Sequence, residues 1–170
     1  RRNKMLKQKL IFIILLILFT SCNNEDSLVK YKNQAELKEL VDTFSILADK
    51  KDTDAQTFLF TEDAQVYNYD EGKLTTVLKG REEIGKAFRD YLSLFETVYH
   101  INGQQTVNID GDKADGISYC QVVLVRIENG EKIALIRGVY YNDEYTNING
   151  KWLISKRTSN FVWNDSRIIK

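Results

Sequence analysis

The 170-residue chain contains no proline, one histidine and two cysteines. Without a Cys-x-x-Cys pair or a histidine cluster it lacks the usual ligands of a structural zinc site, and we predict neither a metal nor a cofactor. It also lacks an excess of basic side chains, because 24 lysines and arginines are balanced by 24 aspartates and glutamates. That balance argues against the strongly basic surface of a nucleic-acid-binding protein, so nucleic acid is not an expected partner.

The N-terminal residues have the pattern of an export signal. Five basic residues within positions 1–9 precede an apolar run at positions 10–19, and Met5 is the expected start of the signal. This run is much shorter than the roughly 20 residues of a membrane-spanning helix, so residues 1–21 are predicted to be a cleaved signal peptide. Cleavage leaves 19 basic and 24 acidic side chains, a formal charge of about −5.

The signal ends in the letters "LFTSC", which resemble a bacterial lipobox and make Cys22 the expected site of lipidation. An ordinary secretory signal is the alternative. Two or more acyl chains anchor a protein firmly, so the resemblance implies membrane attachment through lipid alone. Residues 22–32 are predicted to be a polar tether, in which Glu25 and Asp26 resemble the surface-export signals of Bacteroidetes lipoproteins. The implied location is the outer membrane of a Gram-negative bacterium, facing the surface or the periplasm.

The rest of the chain reads as one domain. Apolar residues at helical spacing predict an amphipathic helix over residues 33–50, begun by a capping box of Asn33 and Glu36. A short helix, a β-hairpin and a third helix follow, and then four strands joined by short glycine-containing connections. Helices grouped on one side of a curved antiparallel sheet predict an α+β domain over residues 33–165, with residues 166–170 as a C-terminal tail.

Three stretches carry a resemblance to a known family: "KGREEI", "YHINGQQTVNIDGDKA" and "GVYYNDEYTNINGKWLISKR". In this order they resemble the SnoaL-like branch of the nuclear transport factor 2-like superfamily over residues 33–165. The resemblance implies a cone, in which a strongly bent sheet wraps the first helix and leaves a pocket at its open end. Scytalone dehydratase and ketosteroid isomerase share this architecture with domains that catalyse nothing, so the fold does not settle activity.

In the dehydratases, as the resemblance implies, an aspartate near the end of the first helix orients a histidine. That histidine acts as general acid and base on a cyclic carbonyl substrate. The matching residues in this sequence are Asp49 and His100. A carboxylate partner holds an imidazole in one tautomer and keeps its pKa near the working pH, which suits this chemistry.

Other positions depart from the dehydratase pattern. Arg126 stands where the family has a second histidine, and Tyr141 stands where it has an asparagine. Ala48 replaces the tyrosine beside the helix aspartate, and Tyr67 or Tyr69 is the candidate substitute phenol. A dehydratase that needs all of the family's groups would not work with this set.

Further side chains are candidates for contact with a ligand. Aromatic rings bury large areas and fill the core of a curved sheet, and we predict that some of them also reach the pocket or its rim. The predicted ligand-binding residues are Tyr67, Tyr119, Arg126, Tyr141 and Trp163.

Arg137 and Cys120 are the last two side chains with a predicted role. Arg137 is interpreted as the partner of a carboxylate, either in the protein or in an anionic ligand. Cys120 is expected to be a small core residue, because lipidation of Cys22 leaves no second cysteine for a disulfide.

Three functions fit the sequence. The first is a lipid-anchored domain that binds a small, partly apolar molecule without catalysis. The second is an isomerase- or dehydratase-type enzyme that uses Asp49 and His100 for proton transfer. The third is an association module, and since many members of the resembling family pair through the outer sheet face, a homodimer is expected.

Overall fold

The computed structural model describes residues 27–170. The predicted signal peptide, the lipidation site Cys22 and the first residues of the tether therefore lie outside the described residues. The chain divides into two compact units, Arg1–Ala35 and Glu36–Lys170. In the first unit the described residues, 27–35, are helical. Within the described part of the chain, no helix combines the length and the apolar character needed to cross a membrane.

Three helices are present in the described residues: α1 at residues 27–49, α2 at Thr53–Thr57 and α3 at Gly80–Leu92. The predicted start of α1 is wrong, because the helix already exists at residue 27 and Asn33 lies inside it. No glycine or proline interrupts residues 27–33, so nothing in this segment of the tether stops the helix from extending.

Six strands form one sheet, in the order β2-β1-β6-β5-β4-β3. Their bounds are β1 Phe60–Asp70, β2 Lys73–Lys79, β3 Thr97–Asp110, β4 Lys113–Glu128, β5 Glu131–Ile148 and β6 Lys151–Ile169. The predicted α+β fold with a curved sheet is confirmed, and the sheet is open, with β2 and β3 at its edges. The sheet is not wholly antiparallel, since β1 pairs with β6 in parallel. A parallel pair needs a long crossover, and here all elements from β2 to β5 supply it.

Irregularities in strand pairing bend the sheet. The register shifts between Asn68 and Tyr69 in β1, between Asn102 and Gln105 in β3, and at two places where β5 meets β6. An unpaired extra residue makes a strand bend and twist, so these shifts favour a concave face. Pairing of β5 with β6 continues to Ile169, so the predicted tail is mostly strand.

The main core lies where α1 and α3 meet the sheet. Leu37, Val41 and Phe44 of α1 are buried against strand residues such as Phe60 and Ile154. A second apolar cluster joins the end of α1 to α3 and to strands β3 and β4; its buried members are Ala48, Leu92, Phe95, Val98, Val122 and Leu124. Both clusters leave space between them on the concave face, and that space is the candidate functional site.

Candidate functional site

His100 is positioned by polar contacts between β3 and α1. Two residues further along β3, the Asn102 side chain donates to Asp42 Oδ1 at 2.9 Å and accepts from Ser45 Oγ at 3.0 Å. Asp42, Ser45 and Asp49 are spaced by three and four residues, which places them on one face of the helix. The contacts of Asn102 thus align β3 with α1, and Asp49 meets His100 one turn beyond Ser45.

Asp49 and His100 form a hydrogen-bonded pair. His100 Nδ1 lies 2.6 Å from Asp49 Oδ1, and the backbone N–H of His100 donates to the same oxygen at 3.0 Å. A carboxylate at this distance accepts the Nδ1–H of the imidazole, which leaves Nε2 as the nitrogen that can accept a proton. Among the described residues, no side chain or backbone group hydrogen-bonds to Nε2.

The environment of His100 favours its neutral form. Burial lowers the pKa of His100 below its ordinary value of 6.5, while the hydrogen bond and the negative charge of Asp49 oppose that shift. The net direction is downward, so the imidazole is uncharged at neutral pH. A neutral imidazole with a free Nε2 is a general base.

A cavity of about 340 Å³ lies between the helices and the concave face of the sheet. Its volume is near the lower end of the roughly 300–1,000 Å³ typical of small-molecule sites. The helices contribute an apolar wall formed by Phe44, Ala48, Ala87, Phe88 and Leu92. The α2 helix and the sheet add polar side chains, among them Gln56, Asn68, Thr76, His100, Tyr141 and Ser159. The cavity therefore suits a small molecule with an apolar body and a few polar substituents.

Arg157 contributes a buried positive charge to the cavity wall. Its Nε and Nη2 donate to the two oxygens of Asp143 at 2.8 and 2.7 Å, and both side chains are 1% exposed. Two aromatic rings lie against the guanidinium, with Cζ 4.1 Å from the centre of Phe44 and 4.2 Å from that of Tyr141. Burial alone would lower the pKa of Arg157, but the charge and hydrogen bonds of Asp143 raise it, so Arg157 stays a cation.

Tyr141 lines the same cavity as His100 and is 5% exposed. Burial raises the pKa of Tyr141 well above its ordinary value, so the phenol keeps its proton across the physiological range. Within residues 27–170 no partner holds its hydroxyl by a hydrogen bond. The hydroxyl is therefore available to donate to an oxygen atom of a ligand.

Two predicted phenols lie on the wrong side of β1. Val66, Asn68 and Asp70 line the cavity, and side chains alternate between the faces of a strand. Tyr67 and Tyr69 therefore face away from it. The Tyr67 hydroxyl instead donates to Gln65 at 2.6 Å. The prediction that Tyr67 reaches the cavity is wrong because the sequence pattern does not reveal which face of β1 is concave.

Three other predicted ligand residues also lie outside the cavity lining. Tyr119 and Trp163 are 51% and 45% exposed on the outer face of the sheet. Arg126 is exposed near the end of β4, where its Nη2 lies 2.9 Å from Glu128 Oε2. Tyr119 and Trp163 were misassigned for the same reason, since an error of one residue in strand phase moves a side chain to the opposite face. Arg126 has the same phase as Val122 and Leu124, which line the cavity, and it lies beyond the cavity toward the end of β4.

Sequence reasoning missed Gln56, Arg157 and Ser159 as cavity residues. Arg157 and Ser159 alternate with Thr158 along β6, and this period of two is the one available signal for them. Gln56 Oε1 and Arg157 Nη1 are buried and have no hydrogen-bond partner among the described residues. Gln56 Oε1 and Arg157 Nη1 thus offer a hydrogen-bond acceptor and a donor at the cavity wall.

Cys120 is a core residue, and the described residues contain no cluster of metal ligands. Cys120 is buried as a free thiol in a cluster with Val139 and Tyr141. Burial raises the pKa of Cys120 to about 12, so it remains protonated. Within residues 27–170 no group of three histidine, cysteine, aspartate or glutamate side chains is placed to hold a metal ion.

The family model described as a SnoaL-like domain matches residues 30–158. A solved structure from Novosphingobium aromaticivorans, provisionally named a scytalone dehydratase, superposes with a TM-score of 0.70 at 15% identity, covering 83% of this chain and 91% of that one. A hexachlorocyclohexane dehydrochlorinase, LinA-type3, from Novosphingobium barchaimii superposes with a TM-score of 0.68 at 18% identity over 81% and 92% of the two chains.

A protein of unknown function with a cystatin-like fold from Nostoc punctiforme gives a TM-score of 0.61 at 24% identity, covering 75% of this chain and 90% of that one. At these identities the likenesses establish the fold alone. No curated protein sequence matches the chain significantly.

Proposed function

The chain belongs to the SnoaL-like domain family, and we propose that it binds a small, partly apolar molecule in its cavity and transfers a proton on that molecule through His100. The reaction class is that of an isomerase or a lyase. One observation carries the proposal: His100 lines the cavity while its Nδ1 lies 2.6 Å from Asp49 Oδ1. Two titratable groups are thus combined so that one orients the other toward a small-molecule site.

The chemistry follows from the protonation states. Neutral His100 accepts a proton at Nε2 from a C–H bond next to a carbonyl, and Asp49 stabilises the imidazolium that forms. The negative charge that develops on the carbonyl oxygen is met by the Tyr141 hydroxyl and by the nearby cation of Arg157. A prepositioned donor of this kind contributes several kcal/mol when water is excluded. The imidazolium then returns its proton to another carbon, or a leaving group departs from the neighbouring carbon.

Binding without catalysis is the second candidate. It is favoured by the absence of a second histidine anywhere in the sequence and by the burial of His100, whose side chain is only 8% exposed. In that case the pair would be a structural link between α1 and β3, and the cavity would serve for capture alone.

A general-base probe separates the two candidates. Removal of the C3 proton of 5-nitrobenzisoxazole breaks its N–O bond and yields a coloured cyanophenolate, so a base in an apolar cavity is read directly by absorbance. We expect the parent protein to accelerate this reaction and His100→Ala to lose about 100-fold or more of the rate. Tyr119→Phe, a change outside the cavity, should leave the rate unchanged.

Equal rates for the parent and His100→Ala would contradict the enzymatic proposal. If an apolar ring compound such as 2-naphthamide still bound in the cavity of both proteins, the capture function would be supported instead.

We further propose that the domain is attached to a bacterial outer membrane through lipid on Cys22. The support is the sequence alone, namely the short apolar run at positions 10–19 and the lipobox-like letters before the cysteine. Expression of the full chain in a Gram-negative host with labelled palmitate tests this, because Cys22→Ser should remove both the label and the membrane association.

A further inference from the structure

Arg137 and His100 lie in one row across the concave face of the sheet. His100 pairs with Val122, Val122 pairs with Arg137, and Arg137 pairs with Asn164. Neighbouring strands are about 4.8 Å apart, so the Cα atoms of His100 and Arg137 are separated by roughly 10 Å. Both residues line the cavity. Both side chains are therefore within reach of one ligand in this cavity.

The guanidinium of Arg137 is held in place but is not saturated. Its Nε donates to Asn164 Oδ1 at 2.6 Å and its Nη2 donates to Asp70 Oδ2 at 2.9 Å. The group lies flat on Phe161, with Cζ 3.9 Å from the ring centre. Among the described residues nothing accepts a hydrogen bond from Nη1. The plane and position of the guanidinium are thus set before a ligand arrives, and one of its nitrogens remains available.

The surroundings of Arg137 are polar, in contrast to the helical wall. Asn68, Thr76 and Ser159 also line the cavity, and no hydrogen bond to their side chains is present within residues 27–170. A carboxylate is the acceptor that best matches a planar guanidinium with a free nitrogen and neighbouring hydroxyl or amide donors. The Asp70 side chain is 40% exposed, so water screens its charge, whereas the Arg137 side chain is 13% exposed.

We propose that Arg137 is a specificity-determining residue of the cavity and selects ring compounds that carry a carboxylate. This inference rests on the proposed function and names its substrate class. The apolar ring lies against α1 and α3, the carboxylate binds Arg137, and the reacting C–H bond faces His100. Asp70 and Asn164 act as positioning residues, because they orient the guanidinium through its other two nitrogens.

Arg157 is the competing cation for this role. Asp143 accepts hydrogen bonds from its Nε and Nη2, its Nη1 is buried, and the rings of Phe44 and Tyr141 lie within 4.2 Å of its Cζ. Arg157 therefore already has a carboxylate partner in Asp143. Arg137 has one covered face and one uncommitted nitrogen, so it is the better partner for a carboxylate that enters the cavity.

Two probes of equal shape test the inference. 2-Naphthoate carries a carboxylate, and 2-naphthamide replaces it with a neutral group of nearly the same size. By calorimetric titration at pH 7.5 we expect the parent to bind 2-naphthoate about tenfold more tightly than 2-naphthamide, as for one charge-assisted hydrogen-bonded pair. Arg137→Met should abolish this preference, because neither probe then has a cationic partner at that end of the cavity.

Two further variants make the result specific. Arg126→Met removes an arginine of the same sheet that does not line the cavity, and it should retain the tenfold preference. Asp70→Asn removes the carboxylate that competes for Arg137, and it should strengthen binding of 2-naphthoate but not of 2-naphthamide. If Arg137→Met does not fold, Arg137→Lys decides the matter, because it keeps the positive charge but not the planar fork of donors and should lose much of the preference.

Each outcome bears on one of the two proposals. Equal binding of the two probes by the parent overturns the carboxylate inference and leaves the proposed function intact. A preference that survives in Arg137→Met, or a gain that is absent in Asp70→Asn, also overturns the assignment to Arg137. Failure of the parent to bind either probe overturns the inference, whereas the proposed function is decided separately by the rate with 5-nitrobenzisoxazole.

Discussion

His100 is the only imidazole of the chain, so its protonation can be measured without interference from other histidines. Two contacts act on it in opposite directions: burial removes water from the ring, and Asp49 offers a hydrogen bond and a negative charge. Burial dominates, which is unusual for a histidine that has a carboxylate partner 2.6 Å away. Because these opposing effects set the pKa of His100, its titration reports changes in the contacts of the site.

Acidification should destabilise the protein through His100. Its pKa is below 6.5 in the folded state and close to 6.5 in the unfolded chain. Between these two values the unfolded chain binds more protons, so the free energy of unfolding falls as the pH is lowered through this window. Urea denaturation at a series of pH values should therefore show a smaller pH dependence below 6.5 for His100→Gln than for the parent.

NMR titration of the single imidazole provides the control. Asp49→Asn removes a group that raises the pKa of His100, so the variant should titrate at lower pH than the parent. A parent midpoint above 6.5, or an Asp49→Asn midpoint above that of the parent, would contradict the assigned balance of burial and charge.

At the residue scale, the sequence predicted the identity of the central pair but not its surroundings. Asp49 and His100 were assigned by resemblance, and the structure brings them together. Tyr119 and Trp163 were assigned from aromatic character alone, and they face away from the cavity. Aromatic character does not decide which side of a strand is concave, because both faces of this sheet carry large apolar side chains.

Strands β5 and β6 are joined inside the protein by an ion pair. Asp143 and Arg157 are directly paired across these strands, and Tyr145 donates a further hydrogen bond to Asp143 at 3.0 Å. The charged groups are almost fully enclosed, so each depends on the other to offset the loss of hydration. A buried charge left without its partner at either position would destabilise the folded protein.

Removing one partner of this pair should be more harmful than removing both. Arg157→Met leaves Asp143 buried without its cation and should lower the free energy of unfolding by about 3–5 kcal/mol. The double variant Arg157→Met with Asp143→Leu replaces the pair by apolar groups and should recover much of that loss. Urea denaturation of the two variants and the parent measures the difference.

The exposed pair Arg126 and Glu128 supplies a matched comparison. Since both side chains are about half exposed, Arg126→Met should change the free energy of unfolding by less than about 1 kcal/mol. A double variant at positions 143 and 157 that is less stable than Arg157→Met alone would contradict this prediction. It would show that the pair stabilises the fold by more than the cost of burying its two charges.

At the scale of the whole molecule, the outer face of the sheet carries an exposed apolar surface. Tyr99, Ile101, Tyr119 and Trp163 are between 45% and 55% exposed there. Gly138 pairs with Trp163, and a Cβ atom at Gly138 would overlap the indole ring. The glycine therefore allows the tryptophan to lie flat across β5, which widens the apolar surface. Contiguous surfaces of this kind often mark sites of protein association.

We expect this face to mediate a homodimer. Light scattering of the purified domain at tens of micromolar should give twice the monomer mass, and Trp163→Lys should give the monomer mass because it places a charge in the interface. Leu94→Lys changes another exposed apolar residue, 62% exposed at the end of α3, and should leave the mass unchanged. A monomeric parent protein at that concentration would exclude the dimer.

The local elements follow from the sequence, because helical spacing and alternation are properties of neighbouring residues. They predicted the order of two helices, a hairpin, a third helix and four further strands, and the family resemblance predicted the Asp49–His100 pair. Tertiary structure alone decided the rest: the parallel pairing of β1 with β6, which face of each strand is concave, and the enclosure of Arg157. These features depend on contacts between residues far apart in the chain, and a period of two along a strand is equally compatible with either face.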